Sequence, residues 1–147
     1  MSELTFGVWE DEMRKPNAGA FGGEKGNLDV KCSLKVPDGL WHVMAVADVD
    51  NNDPFAHMVE LKLIGDKATD YRVVRLAKNG SADKATVSFL MLEHFPGTNE
   101  NRVNDISLGI WNHHETGKDI PNIRIGRMRI IARRIPHWVM EPNFRGG

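Results

Sequence analysis

The chain has 147 residues, of which 41% are hydrophobic and 27% charged, a size and composition typical of one globular domain. Its 19 basic and 20 acidic residues leave a net charge of −1, which argues against a strongly basic nucleic-acid binder. The single cysteine excludes an internal disulfide and a cysteine-rich zinc site. No apolar run approaches the roughly 20 residues of a membrane span. The first residues lack the basic and apolar regions of a secretory signal, so we expect a product made in the cytoplasm.

Apolar residues at every second position predict strands along most of the chain. The first strand is expected at residues 5–9, and a glycine-rich loop at residues 16–26 follows it. Residues 28–36 alternate between apolar and polar side chains, and the run at residues 40–49 places Trp41, Val43, Ala45, Ala47 and Val49 on one face. The turn Pro37-Asp38-Gly39 between these two runs predicts that they form a hairpin.

Further strands are predicted at residues 58–64, 71–76 and 103–111. Residues 85–92 fit either a strand or a short helix, and the β-branched Thr86 and Val87 favour the strand. The last run, residues 123–135, changes its hydrophobic phase at Gly126, which indicates a β-bulge.

These runs make about eight short strands without long helices between them, a pattern that predicts an all-β fold. We therefore expect a single antiparallel two-sheet β-sandwich, a jelly roll, at residues 1–135, and an extended C-terminal arm at residues 136–147. The residues that share the buried phase are predicted to form one core: Leu28, Val30, Cys32, Leu34, Trp41, Val43, Ala45, Ile106, Leu108, Ile110, Ile125 and Ile130.

Candidate catalytic residues are scarce, and no catalytic residue is assigned. The chain has no Gly-x-Ser-x-Gly elbow and no phosphate-binding glycine loop followed by a helix. Cys32 falls in the buried phase of its strand, where a structural thiol is expected rather than a nucleophile. The sequence therefore argues against an enzyme, and we expect no cofactor.

An acidic segment at residues 48–54 is a candidate metal site. Asp48, Asp50 and Asp53 offer the oxygen ligands that Ca²⁺ prefers. The segment lacks the glycine and the bidentate glutamate of a helix-flanked calcium loop, so a solvated polar turn is the alternative. If calcium binds, we expect these three carboxylates to hold it.

The last strand is rich in arginine. Beyond the predicted bulge, Arg127, Arg129 and Arg133 are expected to project from one face, with apolar residues on the other. Such a basic face suits an acidic partner such as a carboxylate, a phosphate or a protein surface. The alternative is an exposed or guarded face without a partner. The chain has only one tyrosine, which argues against an aromatic platform for single-stranded nucleic acid.

Two further groups of aromatic and apolar residues are candidates for binding. Trp111 ends a strand beside a polar loop, where its ring could stack on a sugar. The C-terminal arm contains apolar residues that need a cover, either on the same chain or on a neighbour. Its predicted anchors for a partner are Trp138, Val139, Met140 and Phe144.

The run from Val36 to Val43, Val36-Pro37-Asp38-Gly39-Leu40-Trp41-His42-Val43, resembles a hairpin of galactose-binding-like β-sandwiches, and residues 123–130 resemble their last strand. The likeness covers residues 28–135. Such jelly-roll modules occur in carbohydrate-binding modules and in accessory proteins of bacteriophage particles. The resemblance implies either a structural subunit of a virus particle, such as a decoration, cement or tail-associated protein, or a carbohydrate-binding module. We favour the structural subunit, a homo-oligomer with protein partners and no membrane contact.

Overall fold

The structure, a computed structural model, describes residues 4–17, 28–78, 84–112 and 121–136. Within these residues no helix is long and apolar enough to cross a membrane. The strands are β1 (Thr5–Glu10), β2 (Asp29–Val36), β3 (Gly39–Asn51), β4 (His57–Ile64), β5 (Thr69–Leu76), β6 (Lys84–Phe95), β7 (Asn104–Asn112) and β8 (Ile123–Arg134).

The eight strands form two antiparallel sheets of four strands each. Sheet 1 has the order β1-β8-β3-β6, and sheet 2 has the order β2-β7-β4-β5. The first strand pairs with the eighth, the second with the seventh, the third with the sixth and the fourth with the fifth. The chain is thus an antiparallel ribbon wound into two sheets, which is the topology of a jelly roll. The predicted all-β sandwich of about eight strands is confirmed.

The core lies between the two sheets and is built from the buried phase of each strand. Every predicted core residue is buried except Leu28, which is half-buried and precedes β2. Residues 85–92 lie within β6, so the strand interpretation of that segment is confirmed. Period-two patterning located these side chains because successive residues of a strand point to opposite faces of the sheet.

The predicted hairpin between the second and third strands is wrong. β2 pairs with β7 in sheet 2, whereas β3 lies between β8 and β6 in sheet 1. The turn is present, with a φ of +146° at Gly39. The buried carboxylate of Asp38 accepts hydrogen bonds from the Asn99 N–H and the Asn104 side-chain amide. These contacts attach the turn to the β6–β7 connection, so the chain passes from one sheet to the other.

The β-bulge predicted near Gly126 is confirmed by the register of β8 against β3. Val46 lies opposite Arg129 and Asp48 lies opposite Gly126, so β8 holds one extra residue in this interval. Arg127, inside the interval, has a φ of +44°. The bulge restores the inward direction of the apolar residues that follow it.

Candidate interaction surface

The outer face of sheet 1 carries exposed apolar side chains in one continuous row. Ile131 of β8 lies opposite Met44 of β3, and Met44 lies opposite Leu90 of β6. Leu92 extends the row along β6, and these four side chains are between 39% and 57% exposed. We call Met44, Leu90, Leu92 and Ile131 the apolar patch. Contiguous exposed apolar surface of this kind marks an interaction site more often than scattered apolar residues do.

The patch continues to the β1 edge of the sheet. Gly7 lies opposite Ile131, and a Cβ atom at Gly7 would lie 3.7 Å from the Trp9 ring and 3.8 Å from Ile131. Trp9, 64% exposed, therefore lies close to Ile131 across the glycine. Apolar side chains consequently extend over all four strands of sheet 1.

A shallow groove of ≈ 350 Å³ lies within this face, lined by Met44, Val46, Ser88, Arg129 and Ile131, among others. Its lining is mostly apolar, with one guanidinium group at its border. A groove with this lining offers an anchor point for an apolar side chain of a partner.

The three arginines predicted to share a face are all exposed on β8, as expected. Arg127 lies 3.5 Å from the Asp48 carboxylate. Arg129 and Arg133, which flank Ile131, make no ion pair with any residue in the described ranges. The outer face of sheet 1 therefore combines the apolar patch with two available guanidinium groups. Binding of an acidic partner by this basic face stays a prediction.

The open edge of β6 beside the patch is partly capped. β6 pairs with β3 on one side only. On the other side, the Asp70 carboxylate accepts a hydrogen bond of 2.7 Å from the Leu90 N–H. Arg72 forms an ion pair with Asp70 and lies over the Phe89 ring. An edge that is capped by a charged side chain resists the addition of a further strand, so a partner is expected on the face rather than at this edge.

Trp111 lies on sheet 2, away from the apolar patch. It lines a groove of ≈ 800 Å³ together with Lys62, Lys67 and Thr69. The Lys62 ammonium lies 4.0 Å from the centre of the indole ring, and the Tyr71 ring meets it edge-on at 6.2 Å. This cation–π contact covers part of the ring. Stacking of a sugar on Trp111 stays a prediction and would require Lys62 to move from this position.

The three aspartates considered for calcium contact different partners. Asp48 accepts hydrogen bonds from Thr86 and Arg127, and Asp50 accepts two from Arg124. Asp53 accepts hydrogen bonds from His57 and the Asn122 N–H. Asp48 and Asp50 belong to the end of β3, and not to a loop as the sequence predicted. Within the described part of the chain, no group of three His, Cys, Asp or Glu residues is arranged to hold a metal ion.

We expect the thermal midpoint of the protein to be the same with calcium and with a chelator. Each of these carboxylates already accepts hydrogen bonds from protein donors, and a bound ion would have to displace them. Differential scanning calorimetry in both conditions measures the midpoint. A higher midpoint in calcium that disappears in Asp50→Asn would contradict this expectation and would place an ion here.

The predicted arm anchors, Trp138, Val139, Met140 and Phe144, lie outside the described residues. Their predicted role as partner-binding anchors therefore stays a prediction.

Cys32 is buried in β2, as its phase predicted. Burial, and to a smaller extent the nearby Glu10 carboxylate, raises the pKa of its thiol from 9.0 to about 11. Because the thiolate is the reactive form, a thiol with this pKa is a weak nucleophile at neutral pH.

We expect Cys32 to resist a thiol-specific reagent in the folded protein and to react fully in denaturant.

The raised pKa of Cys32 also makes stability depend on pH. In the unfolded chain the thiol ionises near pH 9, whereas the folded protein keeps the proton until about pH 11. The folded state therefore binds more protons in this window, and the free energy of unfolding should fall as pH rises through it. Denaturant titrations of wild type and Cys32→Ala at pH 8 and pH 10.5 isolate this contribution. An equal fall in both proteins would contradict it.

Comparisons with known proteins do not assign a family to this chain. No family model matches it, and no curated protein matches it. A chain in the structure of infectious bursal disease virus Gt strain is 13% identical with a TM-score of 0.47, and the match covers 90% of this chain and 33% of that one. A chain in the structure of black queen cell virus is 9% identical with a TM-score of 0.30, covering 84% and 68%. This chain thus spans about a third of the first of them.

The apolar patch is not predicted by the alternation within any single strand, although the sequence contains one signal for it. Residues 89–92 of β6, Phe-Leu-Met-Leu, are continuously apolar. Phe89 and Met91 are buried, whereas Leu90 and Leu92 are exposed. A continuous apolar run in a strand indicates that both of its faces are covered. In this sandwich the opposite sheet covers only the inner face of β6, so Leu90 and Leu92 are exposed on the outer face.

Proposed function

We propose that this chain is a non-enzymatic structural protein that associates with other copies of itself and with other protein chains through the outer face of sheet 1, as a subunit of a virus particle. The observation that carries the proposal is the apolar patch, which crosses β8, β3 and β6 in register. The finer role within the particle that we propose is that of a decoration, cement or tail-associated subunit.

Burial of the apolar patch favours association with a partner. Complete burial of a fully exposed leucine or methionine side chain contributes about 1.5–3 kcal/mol before the costs of association, and the patch side chains, which are 39% to 57% exposed, gain about half of that. Met44, Leu90 and Ile131 are adjacent, so one partner segment can cover all three at once. Arg129 and Arg133 supply charged groups at the border, which favour one orientation of an acidic partner.

The type of fold supports a role as a subunit of a virus particle. Jelly rolls with eight strands in two sheets form viral capsid domains as well as lectin domains. A fold by itself does not determine a function, so the surface distinguishes these uses. The apolar patch on sheet 1 fits a protein partner. The face of the Trp111 ring on sheet 2, where a sugar would stack, is already in contact with the Lys62 ammonium.

Size-exclusion chromatography with light scattering over a range of concentrations tests the proposal. We expect the wild type to exceed the 16.5 kDa mass of one chain, and the variant Met44→Ser/Leu90→Ser to shift towards that mass. The matched control is Val73→Ser/Val103→Ser, because both valines are similarly exposed but lie outside sheet 1. Its mass should equal that of the wild type.

Two outcomes would overturn the proposal. One is a wild type that stays a single chain at every concentration. The other is an assembly whose mass is the same in the wild type, the patch variant and the control. If the single chain binds glycans, a carbohydrate-binding role would replace the structural one, and the variant Trp111→Ala should then lose glycan binding.

A further inference from the structure

The outer face of sheet 1 has a specific chemical requirement for its partner. The groove beside Met44 and Ile131 needs apolar side chains. Arg129 and Arg133 have no carboxylate partner among the described residues. A partner segment should therefore carry apolar residues next to a carboxylate. Two such faces cannot satisfy each other directly, because arginines would oppose arginines.

One segment of this chain outside the described residues meets that requirement. Residues 138–141 are Trp-Val-Met-Glu, three large apolar side chains followed by a carboxylate. Residues 18–27 contain a single large apolar side chain, Phe21, and residues 113–120 also contain one, Ile120. Residues 1–3 contain only Met1, and residues 79–83 contain none. The chemistry of the surface thus selects the C-terminal segment.

The position of this segment in the chain also suits the role. The Ile135 N–H donates a hydrogen bond of 2.8 Å to the Leu40 carbonyl oxygen, so the chain leaves β8 at the end of sheet 1. Ile135 precedes Pro136, and a residue before proline favours an extended backbone. The 11 residues after Pro136 can span about 36–40 Å, enough to reach a neighbouring copy.

We propose that the apolar patch binds residues Trp138 to Glu141 of a second copy of this chain, with the Glu141 carboxylate paired to Arg129. This inference rests on the proposed function and names the occupant of its surface. The cap of Asp70 on the Leu90 N–H directs the incoming segment to the face of the sheet and away from the β6 edge.

A charge exchange in the full-length chain tests the pairing. Arg129→Glu and Glu141→Arg should each weaken self-association about tenfold, because each places two like charges together at the contact. The double variant Arg129→Glu/Glu141→Arg should recover the wild-type association. The matched control is Arg75→Glu, an exposed arginine on β5 of sheet 2, which should change nothing. Analytical ultracentrifugation gives the dissociation constants.

A mixture of the two single variants distinguishes binding between copies from binding within one copy. If the segment binds a neighbour, each variant supplies what the other lacks, and the equimolar mixture should associate about tenfold more tightly than either variant. If the segment folds back onto its own copy, the double variant recovers but the mixture does not, and the inference is overturned.

The remaining outcomes separate this inference from the proposed function. Association that is lost in Met44→Ser/Leu90→Ser but unchanged in Glu141→Arg and Trp138→Ser overturns the inference and leaves the proposed function standing. A wild type that never associates overturns both. Thermal midpoints close to that of the wild type show that the variants are folded. Among the substituted residues that the structure describes, Met44, Leu90, Arg75 and Arg129 are all exposed.

Discussion

Replacement of Gly126 by alanine is expected to lower the free energy of unfolding by roughly 3 kcal/mol or more. A Cβ atom at Gly126 would overlap the Glu12 carbonyl oxygen and lie 2.7 Å from the Met13 Cα. Both are backbone atoms, and the adjacent Arg14 and Ile125 are held by two hydrogen bonds between their backbones. The segment after β1 therefore has little freedom to retreat from the new methyl group. Chemical denaturation of wild type and variant measures the change.

Gly7→Ala is the matched control for this substitution. Gly7 lies in β1, the strand of sheet 1 that pairs with β8, and a Cβ atom there would meet its nearest neighbours at 3.6 Å or more, an ordinary contact distance. Alanine is favoured over glycine in a strand by about 0.5–1 kcal/mol, so this variant should be as stable as the wild type or slightly more so. Equal losses of stability in the two variants would show that the close approach at Gly126 is not the cause.

Removal of the Glu93 carboxylate by Glu93→Ala is expected to cost about 2–4 kcal/mol. Glu93 is 1% exposed and points inward from β6. One of its carboxylate oxygens accepts hydrogen bonds from three successive backbone N–H groups, those of Asp66, Lys67 and Ala68, at 2.9–3.2 Å. The alanine variant leaves these donors of the β4–β5 turn without their acceptor. Denaturation should show the loss, and hydrogen exchange should show faster exchange at these three amides.

Gly65→Ala provides a second test of the same contact. A Cβ atom at Gly65 would lie close to the Glu93 carboxylate, which its hydrogen bonds hold in place. We expect Gly65→Ala to destabilise the wild type but to have little effect in the Glu93→Ala background. The double-mutant cycle isolates this coupling. Additive losses would show that Glu93 does not restrict residue 65.

The candidate surface was only partly predictable from the sequence. Alternation and the bulge at Gly126 predict that Arg129 and Arg133 share one face of β8. Their position beside Met44 and Leu90 depends on the pairing of β8 with β3 and of β3 with β6. Pairing joins residues more than 40 positions apart along the chain, and the hydrophobic period within one strand contains no information about it.

The ion pairs of the acidic segment were also not predictable from the sequence. The sequence shows Asp48, Asp50 and Asp53 as neighbouring carboxylates that could share a calcium ion. Asp50 is paired instead with Arg124, 74 positions away, and Asp48 with Arg127, 79 positions away. Both arginines belong to β8, which runs beside the end of β3. Carboxylates that are neighbours in the sequence thus make separate contacts, because the adjacent strand β8 carries the arginines that pair with them.

The sequence by itself determined where the strands lie, which face of each strand is buried, and where β8 has its bulge. These properties are local, since they follow from the alternation of side chains along one strand and from a glycine at the change of phase. The tertiary structure decided that β2 and β3 belong to different sheets, that Glu93 caps a turn of the opposite sheet, and that apolar side chains of three strands meet on one outer face. These properties depend on contacts between distant segments, and the close packing of the whole sandwich selects among the pairings that each strand allows.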